Sequence, residues 1–300
     1  MVHGLTMRFI KSQCMKTTRF LLLGAGAVLL SGLAFISCKK DSNPKSNASD
    51  VEIAESTTVA ESDFNDVAIL VDQAAISGSV NYRVANGSAT WDQAGTLGSN
   101  CATVSLDTVS ATHTIVIDFG ASNCLCNDGR YRRGKILASY TGWYRAQGTV
   151  IGISFDNYFV NDFQVKGTKT ITNQGKNQAG HTVYAIQVDG SITKPNNGGT
   201  SSWTSTRQRE WTAGEETLSW ADDEYSITGT ASGTTYSGVS YSITINKPLV
   251  RKLSCKWFES GSFSVTPQGE VARTLDFGNS GCDANATFSI VGINIPVILP

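Results

Sequence analysis

The sequence predicts an all-β domain, an antiparallel sandwich or a strongly curved meander sheet, carrying one short N-terminal helix. Three observations point there. Apolar and polar residues alternate with a period of two along many short runs, and turn-forming stretches such as NNGG, TASGTT and TPQGE separate those runs. Charged residues make up only 16 % of the chain, too few to solvate an array of surface helices. The 300 residues, 40 % of them hydrophobic, suffice for a sizeable core, and an all-β chain of this length commonly folds as one domain.

The first element is a leader. MKTTRFLLLGAGAVLLSGLAFISCKKD, starting at Met15, has a positive start (Lys16, Arg19), an apolar stretch from Phe20 to Ile36, and Ser37-Cys38 where that stretch stops. This is the pattern of a lipoprotein signal, in which a small residue precedes a cysteine whose thiol takes a diacylglycerol. Residues 1–37 are then a signal peptide, with 1–14 upstream of the true start, and the mature chain begins at an acylated Cys38. A plain signal peptide and an uncleaved membrane anchor are the competing readings. Gly24-Ala25-Gly26 belongs to the leader rather than to a nucleotide loop.

Loss of residues 1–37 removes Arg8, Lys11, Lys16 and Arg19 and no acid, leaving 20 basic against 25 acidic residues, a net charge of −5. An acidic chain is a poor counterpart for phosphate backbones, so no nucleic-acid partner is expected. Residues 38–62, polar and rich in Ser, Asn and Glu, read as a flexible tether. The folded domain is expected over 63–300. It opens with a helix in DFNDVAILVDQAA, where Phe64, Val67, Leu70, Val71 and Ala74 keep helical spacing behind Asp63 as N-cap.

Strand alternation follows in VIGISF, DFQVKGTKTIT, TVYAIQVDGSI and VSYSITI. Within this pattern DFGASNC (118–124) returns as DFGNSGC (276–282). Kinases use Asp-Phe-Gly to hold magnesium beside an HRD loop, a β3 lysine and a glycine-rich loop, and this sequence contains none of these. Each copy instead follows an upstream cysteine, Cys101 before Cys124 and Cys255 before Cys282, so both read Cys, strand, turn, strand, DFGxSxC. In an oxidising compartment each unit, 101–124 and 255–282, is a candidate disulfide-closed hairpin. Asp118 and Asp276 then accept turn hydrogen bonds, and Gly120 and Gly278 supply backbone freedom. Cys126 is left over, either a competitor of Cys124 for Cys101 or a buried thiol.

No metal site and no cofactor are expected, because the mature chain holds only His113 and His181 and lacks a CxxC pair. Asp156, Asn157 and Asp162 fit a turn better than a calcium loop. Arg130, Arg132, Arg133 and Lys135 form a basic cluster that reads as a solvated turn, with a phosphate or acidic-sugar site as the alternative. No serine elbow is visible. Asp222, Asp223 and Glu224 offer candidate carboxylates for a glycosidase, but acids beside a turn read as solvated surface, so an enzyme is not expected.

WTSTRQREW (203–211) is the strongest functional lead. Trp203, Arg207, Arg209 and Trp211 share one side of a strand, and Thr204, Thr206, Gln208 and Glu210 the other. The first set can form an exposed platform that stacks on sugar rings, or a Trp and Arg cross-strand ladder that stabilises an exposed sheet through cation-π contacts. Trp143, Trp220 and Trp257 are expected in the core or at sheet edges.

SCKKD, DFGASNCLCNDGRYRRGK, SFDNYFVNDFQVKGTKTITNQG and PLVRKLSCKWFESGSFSVTPQGEVARTLDFG together resemble uncharacterised lipoproteins of the Bacteroidota, over most of 63–292. CNDGR-x-RRGK is the most specific of these pieces. The resemblance implies an envelope location and brings no catalytic residues with it. The expectation is therefore a lipid-anchored outer-membrane protein, facing either the periplasm or the surface. It would act as a non-catalytic binding or structural module whose partners are the membrane through Cys38 and a glycan or envelope protein. A glycan binder using the Trp203 to Trp211 strand, or a fimbrial or adhesive subunit, is the alternative.

Overall fold

The computed structural model describes residues 48–78, 101–217, 221–255, 257–279 and 281–298. Among these residues one helix, α1 (Ala48–Gly78), precedes fourteen strands. The first seven are β1 (Thr103–Asp107), β2 (Thr112–Asp118), β3 (Cys124–Leu125), β4 (Tyr131–Thr141), β5 (Val150–Val160), β6 (Phe163–Lys176) and β7 (Thr182–Thr193). The rest are β8 (Thr200–Ala213), β9 (Glu224–Thr234), β10 (Ser240–Lys252), β11 (Ser260–Pro267), β12 (Arg273–Asp276), β13 (Asn285–Ile290) and β14 (Ile293–Ile298).

All strands belong to one antiparallel sheet whose order follows the chain, β1-β2-β4 and onward to β14, with β3 paired to β4 off that path. Of the two architectures expected, the structure takes the meander and not the sandwich. A lone sheet leaves two faces to satisfy, and α1 covers the larger part of one, while Leu249, Phe277 and Ala286 form a smaller cluster without helix residues. Phe64, Val67, Leu70 and Val71 of the helix are buried among Ile115, Ile136, Val165, Ile192 and Trp203 of the strands. Phe64 reaches so near β7 that a side chain at Gly190 would collide with its ring.

The helix begins at Ala48 and not at Asp63, so residues 48–62, expected in the flexible tether, form its opening turns. The buried stripe continues backwards through Ala60, Ser56 and Ile53 at helical spacing. Ser56 and Ala60 are fully buried because small side chains let the helix lie close to the sheet, and no hydrophobic signal marks such positions. Asp63, expected as N-cap, is instead a buried mid-helix residue whose pKa burial raises to about 7. Among the described residues no helix is long and apolar enough to cross a membrane. Residues 1–47, including the leader and Cys38, lie outside the described part, as does Trp220.

The meander places its connections alternately at two ends. The end holding the start of α1 carries the β7–β8, β9–β10, β11–β12 and β13–β14 turns, since Glu55, Glu52 and Asp50 reach Lys194, Ser237 and Arg273 respectively. The opposite end carries the β4–β5, β6–β7 and β8–β9 connections, and there Asp72 meets Tyr144 and Arg145. These are the near and far ends below.

Candidate functional site

Cys101 is bonded to Cys124 and Cys255 to Cys282, and Cys126 is a buried free thiol, so both hairpin units are closed. The repeat extends to its atoms. Asp118 Oδ1 accepts from the Gly120 amide at 2.8 Å and Asp276 Oδ1 from the Gly278 amide at 2.8 Å. Lys135 and Lys247 each stand 3.0 Å from the same carboxylates, and the acidity of both aspartates is enhanced, first by the glycine amide. Phe119 and Phe277 are buried, and their amides donate to the carbonyls of Gly134 and Gly261. The repeated DFG motif is a structural corner. One copy sits at the near end and the other at the far end, beside opposite edges of the sheet.

The sheet face under α1 is basic. Helix α1 contains seven acidic residues and no basic one, and the strands meet it with cations. Glu61 pairs with Arg207 at 2.6 Å, Asp66 with Arg132 at 2.5 Å, Asp50 with Arg273 at 2.9 Å and Asp72 with Arg145 at 3.6 Å. Lys169 is buried and donates to the Phe64 carbonyl at 2.7 Å, while burial and the neighbouring Arg209 lower its pKa to about 7. Of the basic cluster of 130–135, Arg130 and Arg132 belong to this contact, while Arg133 and Lys135 stay partly exposed and pair with Asp162 and Asp118. Arg130 and Arg132 bind Ser62, Asp66 and Asp128, and Arg132 is fully buried, so the expected solvated turn is corrected to an internal ion-pair cluster. The signal available in the sequence was the acid-only composition of 48–78 opposite basic residues at inward strand positions.

The exposed aromatic platform is also corrected. Trp203 and Trp211 are 1 % and 2 % exposed, Arg207 is buried, and Arg209 stacks between Tyr184 and Tyr225 at 5.1 and 4.8 Å. Arg145 lies over the Trp211 ring at 4.9 Å. This side of β8 faces α1, where a guanidinium satisfies helix carboxylates and tyrosine rings together. Trp143, expected in the core or at an edge, is 74 % exposed in the β4–β5 connection, and Trp257 is half-buried.

Other candidates are committed to folding. Asp162 is held by Arg133 and Asn123, and Asn161 and Asp162 adopt positive φ in the β5–β6 turn, whereas Asp156 and Asn157, expected in a turn, lie within β5 where its pairing with β6 bulges, Asn157 with positive φ. Asp223 is buried beside the Tyr225 hydroxyl, and Glu224 and Asp222 accept from Thr212 and Thr217. His113 packs edge-on to Tyr140. Among the described residues no group of His, Cys, Asp and Glu is arranged to hold a metal.

The outer face of the sheet is open and polar. From Thr170 the register steps through Gln187, Thr206, Thr230, Thr244 and Ser264. A second row runs beside it through Thr168, Asp189, Thr204, Ser232, Ser242 and Thr266. Neighbouring hydroxyls bond across strands, Thr204 to Ser232 at 2.9 Å and Ser202 to Thr234 at 2.8 Å. From β6 to β10 the two rows line a shallow open depression of about 550 Å³. Towards the far end a second depression of about 380 Å³ continues along the same strands, lined by Lys176, Gln208, Glu210 and Thr228. Glu210 accepts from Asn177 at 2.9 Å and contacts His181 Nδ1 at 2.6 Å, and these bonds, His181 first, keep its pKa below the usual carboxylate range.

Among the described residues both edges of the sheet, β1 and β14, are guarded. β1 is short and tied by the first disulfide. β14 follows a two-residue turn, which makes Ile290 and Ile293 a hydrogen-bonded pair. By alternation Pro296, opposite Thr287, falls in a non-bonded pair, so its nitrogen, which has no proton to donate, faces the free edge.

Compared with known protein families, curated proteins and solved structures, the chain finds no significant match. The class that fold and surface define is thus a disulfide-stapled open meander sheet, filled on one face by its own acidic helix and left polar on the other.

Proposed function

We propose that this protein is a lipid-anchored envelope module, non-catalytic, that binds an uncharged hydroxyl-rich ligand of the glycan class along the outer face of β6–β10. The observation that carries this reading is the pair of cross-strand hydroxyl rows with the depressions they line. A hydroxyl both donates and accepts, so a regular array of them is matched by a ligand that is itself an array of hydroxyls. Adjacent rungs lie about 4.8 Å apart across strands and roughly 6.6 Å apart along them, which allows several weak contacts to act at once. Sparse charge and the absence of aromatic residues in the two rows disfavour phosphate polymers and apolar partners. The sugar contact expected of the 203–211 strand moves to its other side, that of Thr204, Thr206, Gln208 and Glu210.

A strand-donating fimbrial subunit is the weaker reading, because such a subunit works through an unpaired edge and both edges here are guarded. The anchor rests on the leader and Cys38. The test is a glycan array probed with the full mature chain and with Thr206→Val/Thr230→Val, which removes two central hydroxyls and keeps strand-forming side chains. The expected result is binding by the parent and loss of it in a variant folded by circular dichroism. Parent binding that survives in the variant, or no binding to any glycan, refutes the reading.

A further inference from the structure

Four exposed apolar residues neighbour one buried arginine at the near end, through the chain, its ion pair or the strand register. Arg273 of β12 is 6 % exposed and pairs with Asp50 in the first turn of α1 at 2.9 Å. Val51, next to Asp50, is 58 % exposed. Val271 precedes β12, is 53 % exposed, and its carbonyl accepts from Arg273 Nη1. Across the ladder Arg273 faces Ile290, which pairs with Ile293. Ile293 is 46 % exposed, and Val291, at the tip between those two, is 75 % exposed.

Val291 is the informative member. The Val291-Gly292 loop joins β13 to β14 with both residues at positive φ, 50° and 75°. Asn-Gly or Gly-Gly suits such a loop, because a β-branched side chain is strained in the left-handed region. An exposed valine there serves neither turn chemistry nor the core.

The neighbour of this patch is the chain's route to Cys38. α1 starts at Ala48, and the ten residues from Cys38 to Ala48 (48 − 38) span at most roughly 35 Å even when fully extended. An anchor at Cys38 therefore holds this end within about 35 Å of the bilayer and sets no such limit on the far end. We propose that Val51, Val271, Val291 and Ile293 form a membrane-docking patch that seats in the interfacial layer of the bilayer holding Cys38. The patch adds a second, apolar contact to the lipid anchor and directs the far end outward, leaving the polar outer face accessible from the side. The proposal rests on the lipoprotein reading of Cys38.

The test uses the full chain, processed in cells and reconstituted into phosphatidylethanolamine/phosphatidylglycerol vesicles. An environment-sensitive fluorophore is attached at Val271→Cys, at Val291→Cys, or at Val109→Cys, a far-end control that is 96 % exposed. Mass spectrometry of the N-terminal peptide is run on the same samples. The expected result is acylated Cys38, with a blue shift and quenching by spin-labelled lipid at 271 and 291 and neither at 109. Adding Val291→Asn should remove most of the quenching at 271 while leaving the fold intact. Acylated protein whose 271 and 291 positions are no more quenched than 109 overturns the docking patch and leaves the anchor standing. Unacylated Cys38 overturns both. Blue shifts at 271 and 291 without vesicles, rising with protein concentration, overturn it in favour of a second copy covering the patch.

Discussion

Arg132 Nη2 lies 2.5 Å from Asp66 of the helix and 2.5 Å from Asp128 of the CNDGR turn, with its side chain wholly buried. One guanidinium thereby ties α1, the turn before β4 and β4 itself. Removing one partner of a buried pair strands the other charges, which typically costs about 3–5 kcal/mol. Arg132→Ala should lose that much in urea unfolding. Arg132→Lys should recover only part of it, because an ammonium lacks the fork that serves two carboxylates. A loss below about 1 kcal/mol for the alanine variant, the range of an exposed pair, contradicts this tie.

Two buried groups give the stability a pH signature. Burial raises the Asp63 pKa to about 7, so the folded chain holds a proton that the unfolded chain releases near pH 4, and stability falls as pH rises from about 4 to about 7. Lys169, lowered to about 7, has the opposite effect. The unfolded chain binds the extra proton between about 7 and about 10.4, so stability rises with pH across that window. Asp63→Asn should flatten the first slope and Lys169→Met the second, as read from urea midpoints across the range. Unchanged slopes in both variants contradict the assignment.

The corner device predicts a contrast between glycines. A Cβ at Gly134 or Gly261 would strike the backbone of Asn157 or Pro248, while one at Gly120 meets nothing within 4 Å. All three have positive φ. Gly120→Ala should therefore cost about 1 kcal/mol in backbone strain, and Gly134→Ala and Gly261→Ala distinctly more. Equal losses in thermal unfolding argue against the close approach.

Closing chain segments of 23 and 27 residues, the disulfides should each contribute about 3–4 kcal/mol in the chain-entropy picture. Cys255→Ser/Cys282→Ser should lower the melting temperature while leaving the rest of the sheet folded. A neutral result points to strain that offsets the entropy.

Opposite sides of β8 should respond differently. Trp203→Ala opens a cavity under α1 and should cost about 3–5 kcal/mol, whereas Thr206→Val on the outer face should change stability little. A stable Trp203→Ala variant contradicts the inward placement.

The period-two runs, the turn residues between them and the paired cysteines determined by themselves the all-β class, the hairpin repeat and its disulfides. Each depends on residues close together in the chain, where spacing is a sufficient guide. Tertiary structure decided which face of each strand looks inward. Parity groups Trp203, Arg207, Arg209 and Trp211 but does not orient them, and Trp with Arg reads as a surface set until an acidic helix supplies the carboxylates that make it a core. The helix start at Ala48 was hidden for the same reason. Ser56 and Ala60 are buried by proximity to the sheet, a property of the partner surface and not of the local sequence. The outer hydroxyl rows likewise exist only as register, because residues far apart along the chain become neighbours only when the strands pair.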